Sequence, residues 1–461
     1  MPVNSFENYP MTWKPDKNLL KTPLYLSLAE LLEQDVITGR LPIRTQLPSQ
    51  RELADFLDIN LSTVTRAFKI CTQKGLIHAI IGKGTFVSPN PSIPLSSLKK
   101  DKTCICLSVL RPYYQLNHII SDVSRKLLQS QSVDRLFEFD ASQTEQRQKI
   151  IAQNWLQKFQ VNTSVDNILL TYGSQNALAV AFLSLFKAGD KIAVDSFTYT
   201  NFIALANQFH IELIALKSDN KGILAEDLAI KVKQHNLKAL YLVPTSNNPT
   251  AVDLTLERRK QLADIIVKNH LLLIEDDTYA FTNVTKIPPF ARIIPQYTIY
   301  IHGLSKSLFA SLRLAYMVVP DNLSNLFIKT ANTLNIHIPL FNAQIVNELI
   351  VSGKANQVIE RKKLLTKERN TLYRQYFPES ASANSYALFQ WLSLPKHIDG
   401  YAFEKLAKQE GIEVLCAERF FTGSLIEQSA IRIAICSPDT VEELEEGLII
   451  LKALHSRMQK R

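Results

Sequence analysis

Lys306 lies in His302-Gly303-Leu304-Ser305-Lys306-Ser307, directly after an apolar run, where an amine can be kept out of bulk water and react with an aldehyde. Asp276 closes another such run, Leu271-Leu272-Leu273-Ile274-Glu275, and a carboxylate at a buried strand end needs a cationic partner. Tyr279 follows at a spacing that can bring its hydroxyl into the same pocket, and Asn248-Pro249-Thr250 offers a side-chain amide to an anionic oxygen. Gly173-Ser174-Gln175 opens a helix after a strand, so its backbone N–H groups and the helix dipole suit a phosphate. Ser305 stands beside the lysine, Arg313 can neutralise the phosphate, and Tyr199 supplies a ring for stacking. Singly each signal is weak, since a lone lysine is usually at the surface and a lone tyrosine usually in the core. As an ordered set they are the parts that pyridoxal phosphate requires: a Schiff-base lysine, an acid for the pyridine nitrogen, donors for the phenolate oxygen and the phosphate, and a flat ring.

The elements that must position these residues are apolar strands alternating with amphipathic helices. Residues 168–172, 191–195, 211–216, 239–243, 271–275 and 298–301 read as strands apolar on both faces, which predicts a parallel sheet covered by helices on each side, an α/β architecture. Such sheets bind ligands at their C-terminal strand ends. The polar clusters named above fall at those ends.

The first ninety residues follow a different pattern. Leu24, Leu28, Leu31, Leu32 and Val36 predict a helix over 24–38, with Gly39 as its cap. Ser49 and Glu52 have the spacing of a capping box ahead of a short second helix. In a third helix Val64, Ala67, Phe68 and Cys71 share one face, leaving Ser62, Thr63, Thr65 and Arg66 near its free N-terminal end. Two short apolar strands then flank Gly82-Lys83-Gly84, a hairpin turn signal that predicts a wing.

Composition narrows the class. With 46% hydrophobic and 21% charged residues the chain is neither disordered nor collagenous, and no stretch is apolar for long enough to span a bilayer, so a cytoplasmic protein is expected. The net charge of +9 fits a polyanionic partner, but residues 21–88 hold eight basic against six acidic residues, so a nucleic-acid reading must rest on pattern. Cys71, Cys104, Cys106, Cys416 and Cys436 are odd in number and lack zinc-ligand spacing; buried free thiols and no metal site are expected. Proline and serine in Ser88-Pro89-Asn90-Pro91-Ser92-Ile93-Pro94 mark a linker. The expected organisation is an N-terminal arm 1–20, a winged helix 21–88, a linker 89–103 and a body 104–461.

Leu24-Tyr25, Leu47-Pro48-Ser49-Gln50-Arg51-Glu52-Leu53-Ala54, Ser62-Thr63-Val64, Gly75-Leu76-Ile77 and Gly82-Lys83-Gly84-Thr85-Phe86-Val87 together resemble the GntR family of winged helix-turn-helix repressors. The resemblance implies that Arg51, Asn60, Ser62, Thr63 and Arg66 approach phosphates or base edges, and that Gly82 and Lys83 enter the minor groove from the wing. Leu61 stands where many members carry a base-reading arginine. Loss of such a contact forfeits about 1–3 kcal/mol of discrimination, so a different operator is expected.

Asn248-Pro249-Thr250, Asp276-x-x-Tyr279, Ser305-Lys306 with Arg313, and Ile431-Arg432-Ile433 resemble the type I aminotransferases over 105–454. This resemblance implies a mainly parallel large domain at about 120–330, an α+β small domain mainly at 340–461, Lys306 as the Schiff-base residue, and Arg432 gripping an α-carboxylate by a two-pronged bond. Head and body in this order are similar to the MocR subgroup of GntR regulators. That implies a homodimeric, pyridoxal-phosphate-dependent transcription regulator that binds a double-stranded DNA operator and senses an amino acid, an amine or pyridoxal phosphate itself. The alternative is an active aminotransferase with an accessory head. The chain departs from the family where Phe139 replaces a phosphate-binding tyrosine, Gly303 a hydroxyl residue, Ala251 a glycine, and Tyr386-Ala387 a glycine pair. These changes weaken phosphate grip and alter the substrate side, which favours sensing over turnover.

Overall fold

The computed structural model describes residues 11–37, 40–42, 45–74, 76–80, 82, 84–87, 104–130, 133–137, 142–423, 426 and 429–459. Contacts divide the chain into two units, Met1–Lys102 and Thr103–Arg461.

In the first unit, α1 (Leu24–Ile37), α2 (Gln50–Leu57) and α3 (Leu61–Gln73) precede an antiparallel hairpin of β1 (Ile77–Ile80) and β2 (Gly84–Val87), with Ile77 opposite Val87 and Ile80 opposite Gly84. The capping box is realised in both directions: Glu52 N donates to Ser49 Oγ at 3.2 Å and Ser49 N donates to Glu52 Oε2 at 2.9 Å. Asp58, in the left-handed region, ends α2, and Asn60 starts α3 by accepting Ser62 N at 2.9 Å. Val64, Ala67, Phe68 and Cys71 are buried against Leu28, Leu32, Leu53 and Leu57, as a helical apolar stripe demands. Gly39 and Lys83 lie outside the described residues. Of the arm expected at 1–20, residues 1–10 lie outside the described residues, and a residue of its described part packs with the head. Trp13 is buried in the head core, and its indole N–H donates to Asp35 Oδ2 of α1 at 2.8 Å, which satisfies the one polar atom of an otherwise apolar ring.

The second unit begins with β3 (Ile105–Cys106) and continues through β4 (Ile168–Thr171), β5 (Lys191–Asp195), β6 (Glu212–Leu216), a small hairpin of β7 (Ser218–Asp219) and β8 (Gly222–Ile223), β9 (Leu237–Leu242), β10 (Leu272–Asp276), β11 (Thr298–Gly303) and β12 (Ala315–Val318). Seven of them form one sheet in the order β4-β12-β11-β10-β9-β5-β6. All its pairings are parallel except those of β12, which runs antiparallel to both β11 and β4. The sequence pattern did not reveal β12, because no long helix separates it from β11 and its four apolar residues read as a continuation of the preceding loop.

Beyond the sheet, β13 (Gln390–Ser393), β14 (Ile412–Glu413), β15 (Leu415–Cys416) and β16 (Ala430–Ile433) build a smaller layer. The antiparallel order is β13-β16-β15, while β14 pairs in parallel with β3. The start of the body therefore belongs with its C-terminal layer, a long-range pairing with no local signature. Helices Lys354–Tyr376 and Val441–Gln459 cover this layer through Tyr373, Leu444, Leu448 and Leu451.

Replacing Ser49 by alanine removes a side-chain cap and orphans the Glu52 N–H, a change that costs about 1 kcal/mol. Thermal or urea unfolding of the full chain should show that loss in the head transition while the body transition stays in place; an unchanged head transition would refute the capping role.

Candidate functional site

The residues singled out for chemistry converge at the C-terminal ends of β4, β10 and β11 and on the facing edge of β16. Lys306 sits in the four-residue helix Leu304–Ser307 that follows β11, and its Nζ donates to the Leu110 carbonyl at 3.1 Å. Burial pushes the amine down to about 8; the Cys436 thiol opposes this, and the Arg432 and Arg313 cations reinforce it. A substantial unprotonated fraction at neutral pH is what a nucleophilic lysine needs.

Asp276, the last residue of β10, is buried, and burial pushes its carboxyl up to about 6. Three donors moderate that rise: Thr278 Oγ1 at 2.6 Å and Thr278 N at 3.3 Å on Oδ1, and Tyr241 OH at 3.2 Å on Oδ2. Among the described residues Asp276 forms no ion pair. A buried carboxylate with neutral donors and no counter-charge fits a cation brought by a ligand, such as a protonated pyridine nitrogen. Tyr279 accepts from Asn248 Nδ2 at 3.5 Å, and Asn248 Oδ1 accepts from Arg432 Nη1 at 2.8 Å.

Gly173 caps the helix Ser174–Leu185 at φ +80°, a backbone state that an L side chain rarely adopts; a Cβ there would stand 3.2 Å from Arg313 Nη2. Gly173, Ser174 and Arg313 thus share one corner, with helix N–H groups and a guanidinium available to an anion. Gln175 donates to the Asn201 carbonyl at 3.4 Å, and its Oε1 is buried with no partner among the described residues. Ser305 is half-buried beside Lys306. Together, a neutralisable lysine, an acid awaiting a cation and an anion corner fit pyridoxal phosphate.

Tyr199 and Arg432 lie with the same residues, and both already have partners within the protein. Tyr199 packs at the start of the helix Thr200–Gln208 and its hydroxyl accepts from Asn201 Nδ2 at 3.0 Å, while the parallel ring stack in this region joins Phe202 to Tyr241 at 3.6 Å between centroids. Arg432 is not an open fork. Nη1 is taken by Asn248, Nη2 donates to the Ser108 carbonyl at 2.5 Å, and the guanidinium lies 4.9 Å from the Phe420 ring and 5.7 Å from that of Phe389. Only Nε is buried without a partner among the described residues.

Gly303 is more than a missing contact. A Cβ there would fall 2.2 Å from Ser174 Oγ and 2.6 Å from Thr278 Oγ1, so those two hydroxyls fill the space of a side chain. Ala251 holds φ +57°, which explains why glycine suits the position and marks a strained residue here. Phe139 lies outside the described residues. Of the cysteines, Cys71, Cys416 and Cys436 are buried, whereas Cys104 and Cys106 are only partly so, correcting the expectation of five buried thiols.

Sequence reasoning missed Tyr241, Thr278, Lys362 and the carbonyls of Ser108 and Leu110. Tyr241 hides in an apolar strand, and Lys362 on a charged helix reads as a solvated face. Backbone carbonyls leave no trace in residue identity.

In the head, Arg51, Asn60, Ser62 and Arg66 are exposed and Thr63 is half-buried, all at the N-terminal ends of α2 and α3. Arg66 lies over the Tyr25 ring at 4.2 Å, Thr65 Oγ1 donates to Gln50 Oε1 at 2.7 Å, and Ser62 Oγ donates to Asn60 Oδ1 at 2.9 Å. The side chains at this end are thus pre-ordered. Gly82 turns the hairpin at φ +75°.

A profile of the family described as "Aminotransferase class I and II" matches residues 105–448, and one described as "Bacterial regulatory proteins, gntR family" matches residues 24–87. The uncharacterized HTH-type transcriptional regulator YdeF of Bacillus subtilis (strain 168) is 38% identical over 98% of this chain and 99% of its own length. The uncharacterized HTH-type transcriptional regulator YjiR of Escherichia coli (strain K12) is 22% identical over 90% of this chain and 95% of its own. Among solved structures, an archaeal alanine:glyoxylate aminotransferase superposes with a TM-score of 0.72 at 23% identity, covering 78% of this chain and 92% of its own. LysN, an α-aminoadipate aminotransferase from Thermus thermophilus solved with N-(5'-phosphopyridoxyl)-L-leucine, gives 0.71 at 18% identity, covering 80% and 96%. The body therefore has the type I aminotransferase fold, behind a winged helix-turn-helix head. No helix among the described residues is long and apolar enough to cross a membrane.

The raised carboxyl of Asp276 has a thermodynamic sign. Its folded value of about 6 exceeds the unfolded value, so the protonated acid favours the fold, and that contribution is lost as pH rises from about 4 to about 6. Without pyridoxal phosphate, Asp276→Asn should gain on wild type across this window by about 2–3 kcal/mol in urea unfolding of the body. A difference between the two chains that stays constant with pH would show that Asp276 is not an uncompensated buried acid.

Proposed function

Because this chain belongs to the aminotransferase class I and II family and carries a gntR-type head, we propose that it is a transcription regulator whose body holds pyridoxal phosphate and reads a small amino compound for the DNA-binding head. The observation that carries the reading is a lysine directly after β11, whose amine burial pushes down to about 8, next to the strand β10 that ends in a buried acid with no ion pair among the described residues. A head whose exposed α3 end is kept in order stands at the other end of the same chain.

Lys306 would hold the cofactor and Asp276 would keep a proton on its ring nitrogen. Asn248 and Tyr279 would face the phenolate oxygen, and Gly173, Ser174, Gln175, Ser305 and Arg313 the phosphate side. Tyr199 would border the ring. When bound, pyridoxal phosphate supplies an aldehyde that an amine can capture and a ring that withdraws electrons. The amine of an arriving amino compound would take the place of Lys306, whose released amine can then hold a proton.

The effector's carboxylate would engage Arg432, and Arg432 is already bonded to Asn248 and to the Ser108 carbonyl. Arg432 belongs to β16 of the small layer and Asn248 to the loop after β9 of the large sheet. A carboxylate that competes for this guanidinium therefore changes a bond bridging the two layers, which gives the ligand different affinities for two arrangements of the body. Without such a difference no switch occurs. Occupied prongs on Arg432 also favour sensing over rapid turnover. Amino acids, amines and pyridoxal phosphate itself remain the effector classes.

A homodimer in the cytoplasm would present two heads to the half-sites of a double-stranded operator. Arg51, Asn60, Ser62, Thr63 and Arg66 would meet the DNA from α2 and α3, with Gly82 and Lys83 at the wing. The domain limits follow the same reading: head to residue 88, linker 89–103, body from 104.

Two measurements test this. Purified protein with pyridoxal phosphate should show a Schiff-base absorbance band that Lys306→Ala abolishes; a wild-type chain without the band removes the cofactor. In gel shifts with the upstream intergenic DNA, Arg51→Ala and Thr63→Ala should each weaken binding about tenfold or more, the scale of one direct contact. Wild-type protein that fails to shift that DNA, yet transaminates common amino acids at ordinary enzymatic rates, would turn the reading toward an enzyme.

A further inference from the structure

A second lysine stands behind the first. Lys362 projects from the long helix Lys354–Tyr376, and its side chain is 1% exposed, rare for a residue whose charge is so strongly hydrated. Its Nζ donates to the main-chain carbonyl of Lys306 at 3.0 Å and also to that of Leu308. Its stem passes Phe309, with Nζ 5.7 Å from the ring centroid.

The two accepted carbonyls have a particular position. Lys306 lies in a helical segment of only four residues, and Leu308, its C-terminal cap, has an irregular backbone with ψ −107°. The last carbonyls of any helix lack intrahelical partners, and a lysine side chain is one of the groups that can satisfy them. Such orphans would be costly here, because the end of the turn, Ser307 and Leu308, is buried. Nothing in the cofactor chemistry requires Lys362, and among the described residues no carboxylate pairs with it: the charged or titratable groups that act on it are the Cys436 thiol, from the segment after β16, and Lys306 itself. Burial pushes its amine down to about 7. A neutral amine has two N–H donors, which matches the two carbonyls it serves.

We propose that Lys362 is a positioning residue for Lys306: delivered from a different element, it caps the carbonyl end of the turn that carries Lys306 and thereby fixes where the Lys306 amine stands. This rests on the reading of Lys306 as the cofactor-binding amine. The consequence concerns solvation. Burial is the main cause that lowers Lys306, with Arg432 and Arg313 adding to it and Cys436 opposing it. A turn freed from its cap lets water reach the amine, and the ammonium form then gains.

The test uses the full chain. Protein at a series of pH values receives a short pulse of pyridoxal 5'-phosphate, is reduced with borohydride, and the pyridoxyl group is located by peptide mass. In Lys362→Met the pH midpoint of labelling at Lys306 should rise by about one pH unit toward that of a solvated lysine. Lys362→Gln, which keeps two N–H donors on a shorter stem, should move the midpoint the same way by less and serves if the methionine chain does not fold. Thr366→Val is the control. It removes a buried bond to Tyr113, 2.7 Å long, one turn along the same helix and should lower the melting temperature without moving the midpoint. A Lys362→Met midpoint equal to wild type, or an equal displacement in Thr366→Val, overturns the inference alone. Absence of label at Lys306 in the wild-type chain overturns the cofactor reading and this inference with it.

Discussion

A carboxylate with no ion pair among the described residues, buried at the end of a central strand, is the constraint around which the body is organised. Three acidic residues follow one another at Glu275, Asp276 and Asp277, and all are buried. Strand geometry separates the first two onto opposite faces. Glu275 accepts the Phe290 and Ala291 N–H groups at 2.9 Å each, with Arg259 at 3.8 Å, whereas Asp277 accepts Tyr300 OH at 3.2 Å. The Arg259 cation acts on both, although Asp277 Oδ1 is buried with no hydrogen-bond partner among the described residues. Asp276 has neutral donors, from Tyr241 and Thr278, and no ion pair among the described residues. The arrangement keeps a destabilising charge in place for a ligand cation to neutralise, a local cost of the kind found at functional sites.

The same economy governs the opposite wall. Ser174 and Thr278 hydroxyls meet at 3.0 Å in the space vacated by the missing side chain of Gly303, so the glycine, the serine and the threonine form one unit linking the anion corner to Asp276. Arg432 closes the pocket from β16 by bonding to Asn248. A site assembled this way couples its parts: whatever draws Arg432 away also frees the Asn248 side chain. That coupling is a more natural property of a sensor than of a catalyst that must release product quickly.

The head is built on simpler terms. One apolar stripe on α3 docks onto α1 and α2, and the remaining face is left to solvent, where Arg66 rests on Tyr25 and Asn60 ties down Ser62. Leu61 is exposed at the very start of α3, an apolar side chain with no packing need there.

Much of this could be read from residue order alone, because patterns with a fixed period or a fixed offset survive in one dimension. The Ser49–Glu52 cap, the buried face of α3 and the alternation that makes strands β4, β5, β6, β9, β10 and β11 all depend on neighbours within a turn or a strand, and Lys306, Asp276, Asn248 and Tyr279 fall at strand ends that the pattern itself marks. Pairing across hundreds of residues has no such signature. Only tertiary structure joined β3 to β14, slid β12 antiparallel into the sheet, placed Trp13 in the head core, and brought Lys362 and the Ser108 and Leu110 carbonyls to the lysine and the arginine. The reason is physical: local hydrogen bonds and side-chain period are properties of sequence spacing, whereas which buried donor meets which backbone oxygen is settled by packing of elements far apart in the chain.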